Sequence, residues 1–185
     1  KVLILTLSEN DVPPIIQEMI SNGESEIKVD DIAKLIGCIN ALSKQVLGDE
    51  GSLKATDPNP MKRAVAFCSS IDISKANTDT FNSISKTYID VLPEINNVNT
   101  VSVSSDHIDG TMSATKRNQL LDWLKDETED NECRVLTNVR CLSEGVDVPS
   151  LDAVMFLSAR NSQVDVVQSV GRVMRLSKGK NYGYI

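Results

Sequence analysis

Two arginines stand three residues apart in QSVGRVMR, residues 168 to 175, beside a glycine and a glutamine. A guanidinium presents a planar fork of donors that matches a phosphate. If the segment is helical, each residue turns by about 100°, and Gln168, Gly171, Arg172 and Arg175 fall within an arc of roughly 100°. Val166, Val170, Val173 and Met174 fall on the far side. One face would pack on a core, and the other would present two cations, an amide and a bare glycine. A mid-helix glycine costs about 1 kcal/mol relative to alanine. Its place on the arginine face points to a docked partner, and a solvated charged face is the plainer alternative. The chemistry on offer is stabilisation of negative charge on a phosphate.

Two further stretches could join it. LTNVRCLSEGVDVP places Gly145, Asp147 and Pro149 in a loop after a strand that ends at Thr137. Glycine lets a backbone approach a ligand closely, and an aspartate can accept hydrogen bonds from sugar hydroxyls. A turn that merely needs Gly and Pro would read the same way. HIDGTMSATKR, from His107 to Arg117, passes from a strand into a helix. Gly110 relaxes that turn, and the helix N-terminus opens amides that can hold a phosphate. An ordinary strand-to-helix connection is equally compatible. Cys38, Cys68, Cys133 and Cys141 form no C-x-x-C pair, and His107 is the only histidine. Neither a zinc site nor a disulfide framework is expected. Reduced thiols in a cytoplasmic protein are the simplest reading.

The elements that must position these residues alternate in type. KVLILTL (Lys1 to Leu7) is expected as a strand, and a helix should follow from Asp11 to about Gly23. DDIAKLIGCINALSKQVLG has Ile32, Leu35, Ile36, Ile39, Leu42, Val46 and Leu47 at helical spacing. GDEGSLKATDPNPMK is a loop by composition. Beyond it, RAVAFCSS, TVSVSSDHID, CRVLTNV and LDAVMFLS read as strands, and YGYI begins a last one. TDTFNSISKTYIDVLPEI, MSATKRNQLLDWLKDET and SQVDVVQSVGRVMRL read as helices. Ser113 should cap the second of these, with Leu120, Leu121, Trp123 and Leu124 turned inward. Strands alternating with helices at this spacing predict an α/β fold, a parallel sheet with helices on both faces. Ligands in such sheets sit beyond the C-terminal ends of the strands.

The 185 residues suit one structural domain: 1–60 would supply an N-terminal strand, helices and a linker loop, and 61–185 the core. Hydrophobic residues make up 41% and charged residues 24%, a globular composition. No apolar run approaches the roughly 20 residues that span a bilayer, so no membrane partner is expected. Both ends are apolar and read as cut from something longer. The net charge of −7 weighs against a broad nucleic-acid footprint but allows a local one.

QSVGRVMR matches Q-x-x-G-R-x-x-R, motif VI of superfamily 2 helicases and translocases. LTNVRCLSEGVDVP looks like their motif V in its E-G-x-D-x-P form. RAVAFCSSI looks like motif IV, and HIDGTMSATKR like the segment after it. With four motifs in order from Arg63 to Arg175, the chain resembles the second RecA-like lobe of this superfamily, a helicase C-terminal domain. GCINALSKQ and DPNPMKRAVAFC further resemble helicases of mobile elements and of type III and single-chain type ISP restriction enzymes.

The resemblance implies a lobe of the P-loop NTPase kind that lacks its own P-loop, since no G-x-x-x-x-G-K-[ST] occurs in the chain. A first RecA-like lobe of the same polypeptide would hold ATP and Mg2+, and this chain alone would not hydrolyse ATP. Arg175 would be the arginine finger, Arg172 its partner on the γ-phosphate, and Gln168 would sit near the attacking water. Gly145, Asp147 and Gly171 would face the nucleotide. Ser69, His107, Gly110 and Thr137 would touch the nucleic-acid backbone. No residue is implied as a metal ligand. Gln168 stands where DEAD-box RNA helicases have histidine, and the motif V form is more typical of DNA-directed members, so DNA, duplex ahead of single-stranded, is the implied partner. A non-catalytic RecA-like interaction module and an RNA or repair helicase of the same superfamily stay as alternatives.

Overall fold

The computed structural model describes residues 18, 29–44, 57–96, 100–142, 151–159, 166–168, 170, 171, 175 and 182–185. Within them run helix α1 (Val29–Leu42), strand β1 (Arg63–Phe67), helix α2 (Ile71–Asn96), strand β2 (Ser102–His107), helix α3 (Ala114–Lys125), strand β3 (Glu132–Asn138) and strand β4 (Ala153–Phe156). The strands pair in the order β2-β3-β1-β4, and every pairing is parallel. The expected strand at Lys1–Leu7 and the helix from Asp11 to Gly23 lie outside the described residues.

The connection from β1 to β2 crosses β3 in one direction, and the one from β2 to β3 returns. Right-handed crossovers therefore put α2 and α3 on opposite faces. The period of two along each strand matches this. Ala64, Ala66, Val103, Cys133, Val135 and Ala153 share one buried cluster with Ile32, Leu35, Ile36 and Ile39 of α1 and Phe81 and Ile84 of α2. Val65, Phe67, Leu136 and Val154 share another with Leu120 and Leu124 of α3. The sheet thus carries helices on both faces, as the sequence predicts.

Boundaries differ from the sequence reading at two helices. α1 stops at Leu42, short of Val46 and Leu47, which lie outside the described residues. Lys44 takes φ 55°, a left-handed conformation that ends the helix. Its ammonium lies 2.6 Å from the Asp57 carboxylate and 5.2 Å from the centre of the Tyr184 ring. Tyr184 in turn donates its hydroxyl to Asp57 at 2.7 Å. A tertiary clasp therefore holds a backbone conformation that lysine alone would avoid. α2 begins at Ile71, seven residues before the expected Thr78. Ser70 starts it, accepting from the Ile73 amide with Oγ at 3.2 Å and from the Ser74 amide with its carbonyl at 2.9 Å.

α3 behaves as predicted at its start, where the Lys116 amide donates to Ser113 Oγ at 3.2 Å. Leu120 and Leu124 are buried, while Leu121 and Trp123 are half-buried. Its C-terminal carbonyls are met by two arginines that sequence reasoning did not single out. Arg63 and Arg134 are register partners on β1 and β3. Arg63 donates to the carbonyls of Leu124, Lys125 and Asp126 at 2.9, 3.1 and 2.9 Å. Arg134 donates to the Trp123 carbonyl and stacks over the Trp123 ring at 5.3 Å. Cations suit the negative end of a helix dipole and the orphan carbonyls there. The expected last strand appears at Tyr184, which forms a parallel bridge to Ala153 beside β4.

Candidate functional site

β1 and β3 are neighbours, yet the chain leaves them on opposite faces. After β1 it enters α2; after β3 it reaches Leu142, which packs with the α3-side cluster. Such a divergence marks the place, at the C-terminal ends of the strands, where open α/β sheets bind ligands. The residues around it are polar, buried and joined to one another.

Thr137, at the end of β3, is fully buried. Its hydroxyl lies 2.9 Å from Ser74 Oγ and 2.7 Å from Thr78 Oγ1, both on α2. His107, at the end of β2, is also buried. Its Nδ1 lies 2.7 Å from Ser74 Oγ and its Nε2 lies 2.9 Å from Asp109 Oδ2. Asp109 Oδ1 accepts from the Thr111 amide at 2.7 Å and from the Thr111 hydroxyl at 2.6 Å. Those Thr111 donors, chiefly the hydroxyl, hold the Asp109 carboxyl down to about 2, against the opposing push of burial. Asp109 is therefore ionised at neutral pH, and the ring nitrogen facing it carries a proton. Beside Thr137, Asn138 donates to the Ala66 carbonyl at 3.2 Å and accepts from the Leu142 amide at 3.3 Å. The main chain reinforces this: the Cys68 amide donates to Asn138 O at 2.7 Å, and the Ile108 amide to Thr137 O at 2.9 Å.

The ionised Asp109 makes a pH prediction. A carboxyl lowered from about 3.9 in an unfolded chain stabilises the fold fully above about pH 4. That contribution, on the order of 1 kcal/mol, is lost as the pH falls towards 2. Asp109→Asn should be less stable than the parent at pH 6 and should lose less between pH 5 and pH 2.5. Urea unfolding of both proteins at each pH checks this.

The expected nucleic-acid residues thus divide. Ser69 and Gly110 are exposed at the ends of β1 and β2. His107 and Thr137 lie beneath them, their polar side-chain atoms taken up by interior hydrogen bonds, so in this structure neither offers a surface contact. Gly110 does not relax its turn through glycine's conformational freedom, because its φ lies outside the left-handed region. The Asp109–Thr111 contact shapes the turn instead. Of the arginine face, Gln168, Gly171 and Arg175 are exposed, while Val166 and Val170 are half-buried. Val167, between them, is 68% exposed. A Cβ added at Gly171 would meet nothing within 4 Å, so no packing within the described residues demands glycine there. Arg172, Gly145 and Asp147 lie outside the described residues, so the structure does not bring the nucleotide set together.

Ser74, Thr78, Asp109 and Asn138 belong to this site and were missed in the sequence. One signal was available: Asp-Gly-Thr after a strand is the pattern of an aspartate that hydrogen-bonds its own backbone two residues on. Among the described residues no group of three His, Cys, Asp or Glu side chains could hold a metal ion. Burial pushes the Cys38 thiol up to about 12 and the Cys133 thiol well up, so neither is a ready thiolate. No helix among the described residues is long and apolar enough to cross a membrane.

Comparison with known proteins gives this geometry a context. Residues 51–177 match the model of the helicase conserved C-terminal domain. The whole chain is similar to part of a DNA-bound, ATP-dependent type ISP restriction-modification enzyme, LlaBIII, with 36% identity, a TM-score of 0.84 and 12% of that enzyme covered. A protein described as helicase 22 of Sulfolobus islandicus filamentous virus (isolate Iceland/Hveragerdi) is 32% identical over 83 residues, 45% of this chain and 14% of the viral protein. A fragment described as an HsdR subunit of a type I restriction enzyme from Vibrio vulnificus shares the fold, at 21% identity and a TM-score of 0.50 over 89% of this chain and 29% of its own. The chain therefore spans a small part of the proteins it matches.

Proposed function

This chain belongs to the helicase conserved C-terminal domain family, and from that premise we propose that it is the second motor lobe of an ATP-dependent DNA helicase or translocase. The observation that carries the reading is the similarity over the whole chain to an enzyme described as ATP-dependent, restriction-modifying and DNA-bound. A restriction-modification or mobile-element system in the cytoplasm is the setting that fits it.

In this reading the active site is shared. A first lobe supplies the phosphate cradle, the magnesium ligand and the water-activating carboxylate. Mg2+ would neutralise charge on the β- and γ-phosphates when bound there. This chain closes the cleft with its arginine face. The exposure of Gln168, Gly171 and Arg175, and the space that the described residues leave over Gly171, suit a face that meets a nucleotide. Arg172 and Arg175 reach the γ-phosphate, Gln168 lies near the attacking water, and Gly145, Asp147 and Gly171 face the nucleotide, Asp147 near the ribose. Ser69 and the Gly110 turn carry the nucleic-acid backbone, with His107 and Thr137 supporting them from below. Neutral donors of this kind let an acidic lobe track DNA.

The isolated chain should then hydrolyse no ATP above background. In the intact protein, duplex DNA should stimulate ATP turnover more than single-stranded DNA or RNA, and steady-state hydrolysis with each nucleic acid decides it. Equal turnover with and without every nucleic acid removes the motor reading, and preferential stimulation by RNA turns it to an RNA helicase.

A further inference from the structure

We propose that Ser74 and Asp109 are positioning residues that couple the nucleic-acid turn after β2 to the backbone that follows β3, held at the Leu142 amide. This deepens the motor reading and rests on it. The surface end of the chain of contacts is Thr111, exposed beside Gly110. Its amide and hydroxyl reach Asp109 Oδ1 at 2.7 and 2.6 Å. Asp109 Oδ2 meets His107 Nε2 at 2.9 Å, and His107 Nδ1 meets Ser74 Oγ at 2.7 Å. Ser74 Oγ meets Thr137 Oγ1 at 2.9 Å. The next residue, Asn138, holds the Leu142 amide at the root of the loop at 3.3 Å.

Every member beneath the surface is buried: His107 is 5% exposed, Asp109 4%, and Ser74, Thr137 and Asn138 0%. A buried polar group left without its partner is strongly disfavoured. If bound DNA moves Thr111, the Asp109 carboxylate loses two donors and its partners must rearrange. The chain has a place where two discrete arrangements exist. Ser74 Oγ carries one proton and faces two acceptors, His107 Nδ1 and Thr137 Oγ1. A proton directed to the ring leaves Thr137 to donate; one directed to Thr137 leaves Nδ1 without a donor, because the ring holds its own proton on the Nε2 that faces Asp109. An element with two states is what transmits a local change between sites. The three strand ends, β1 through Cys68 and Asn138, β2 through His107 and β3 through Thr137, are joined by this network.

The test uses the intact protein. ATP turnover is measured at saturating ATP, with and without duplex DNA, together with the DNA concentration that gives half-maximal stimulation. Ser74→Ala should lose about tenfold of the stimulation with the half-maximal DNA concentration within a few-fold of the parent's; Asp109→Ala, which also removes the contact that shapes the turn, should lose stimulation and raise that concentration. Asp109→Asn keeps an acceptor for Thr111 and a polar atom towards His107, and should recover most of the stimulation. Full stimulation in both alanine variants overturns the proposal, as does a half-maximal DNA concentration that rises in step with the loss in Ser74→Ala. A parent that no nucleic acid stimulates overturns the motor reading and this proposal with it, whereas a stimulated parent with indifferent variants overturns this proposal alone. If an alanine variant does not fold, hydrogen exchange of the Leu142 amide in the parent decides: a rate changed by duplex DNA supports the coupling, and an unchanged rate overturns it.

Discussion

Arg175→Ala, made in the intact protein, is expected to lower ATP turnover by roughly 10³–10⁵-fold while ATP affinity stays within a few-fold. Phosphoryl transfer offers little covalent work to the protein. The leaving group and the transferring phosphoryl spread negative charge as the bond breaks, and a cation that meets this charge acts mainly on the transition state. Arg175 is exposed, as are Gln168 and Gly171. On the motor reading, its guanidinium reaches phosphate when the two lobes close. Arg175→Lys should recover part of the rate, because lysine restores the charge without the two-pronged geometry. Steady-state hydrolysis combined with equilibrium nucleotide binding measures both effects. Undiminished hydrolysis by the alanine variant removes the finger assignment and leaves the fold untouched.

The second large effect is on stability. Phe81 on α2 is fully buried, in the cluster that unites α1, α2 and one face of the sheet. Phe81→Ala should cost about 3–5 kcal/mol, a large share of the ~5–15 kcal/mol that holds a domain folded. The loss combines the transfer of the ring with the cavity left behind, because α1 and the sheet can close on it only in part. Urea denaturation should show a lower midpoint with an unchanged slope. A variant within about 1 kcal/mol of the parent would mean that the cluster collapses freely around the gap.

The sheet was legible because β1, β3 and β4 are short apolar runs, buried on both faces in β1, and β2 alternates polar and apolar residues as the side-chain period requires. The helix ends were less so. α1 stops where Lys44 takes a left-handed turn, and what supports that turn is Asp57 and Tyr184, 13 and 140 residues on. No local window contains such a partner. Ser70 opens α2 by local capping, and that signal was present but lay inside a run read as strand end. In the site, the exposed arginine-face positions followed from the helical wheel. His107 and Thr137 were placed on the right strands, but their burial depends on Ser74 and Thr78 in a helix that crosses above them. Spacing shows which residues are near a strand end; it does not show which of them points inward.

Tyr184 has a wider role than its contact with Lys44. Among the described residues β4, which reads Ala-Val-Met-Phe, would without Tyr184 be the outer strand of the sheet, its backbone donors and acceptors unpaired on one side. The Tyr184 carbonyl accepts from the Val154 amide, and the Tyr184 amide donates to the Asp152 carbonyl, both at 2.9 Å. An apolar, unpaired edge is a template for other chains. A lobe trimmed before Tyr184 would present that template and would also unseat the Lys44–Asp57 pair. Self-association is then expected to compete with folding, and a rising sedimentation coefficient with concentration in the trimmed lobe, absent from the parent, checks it.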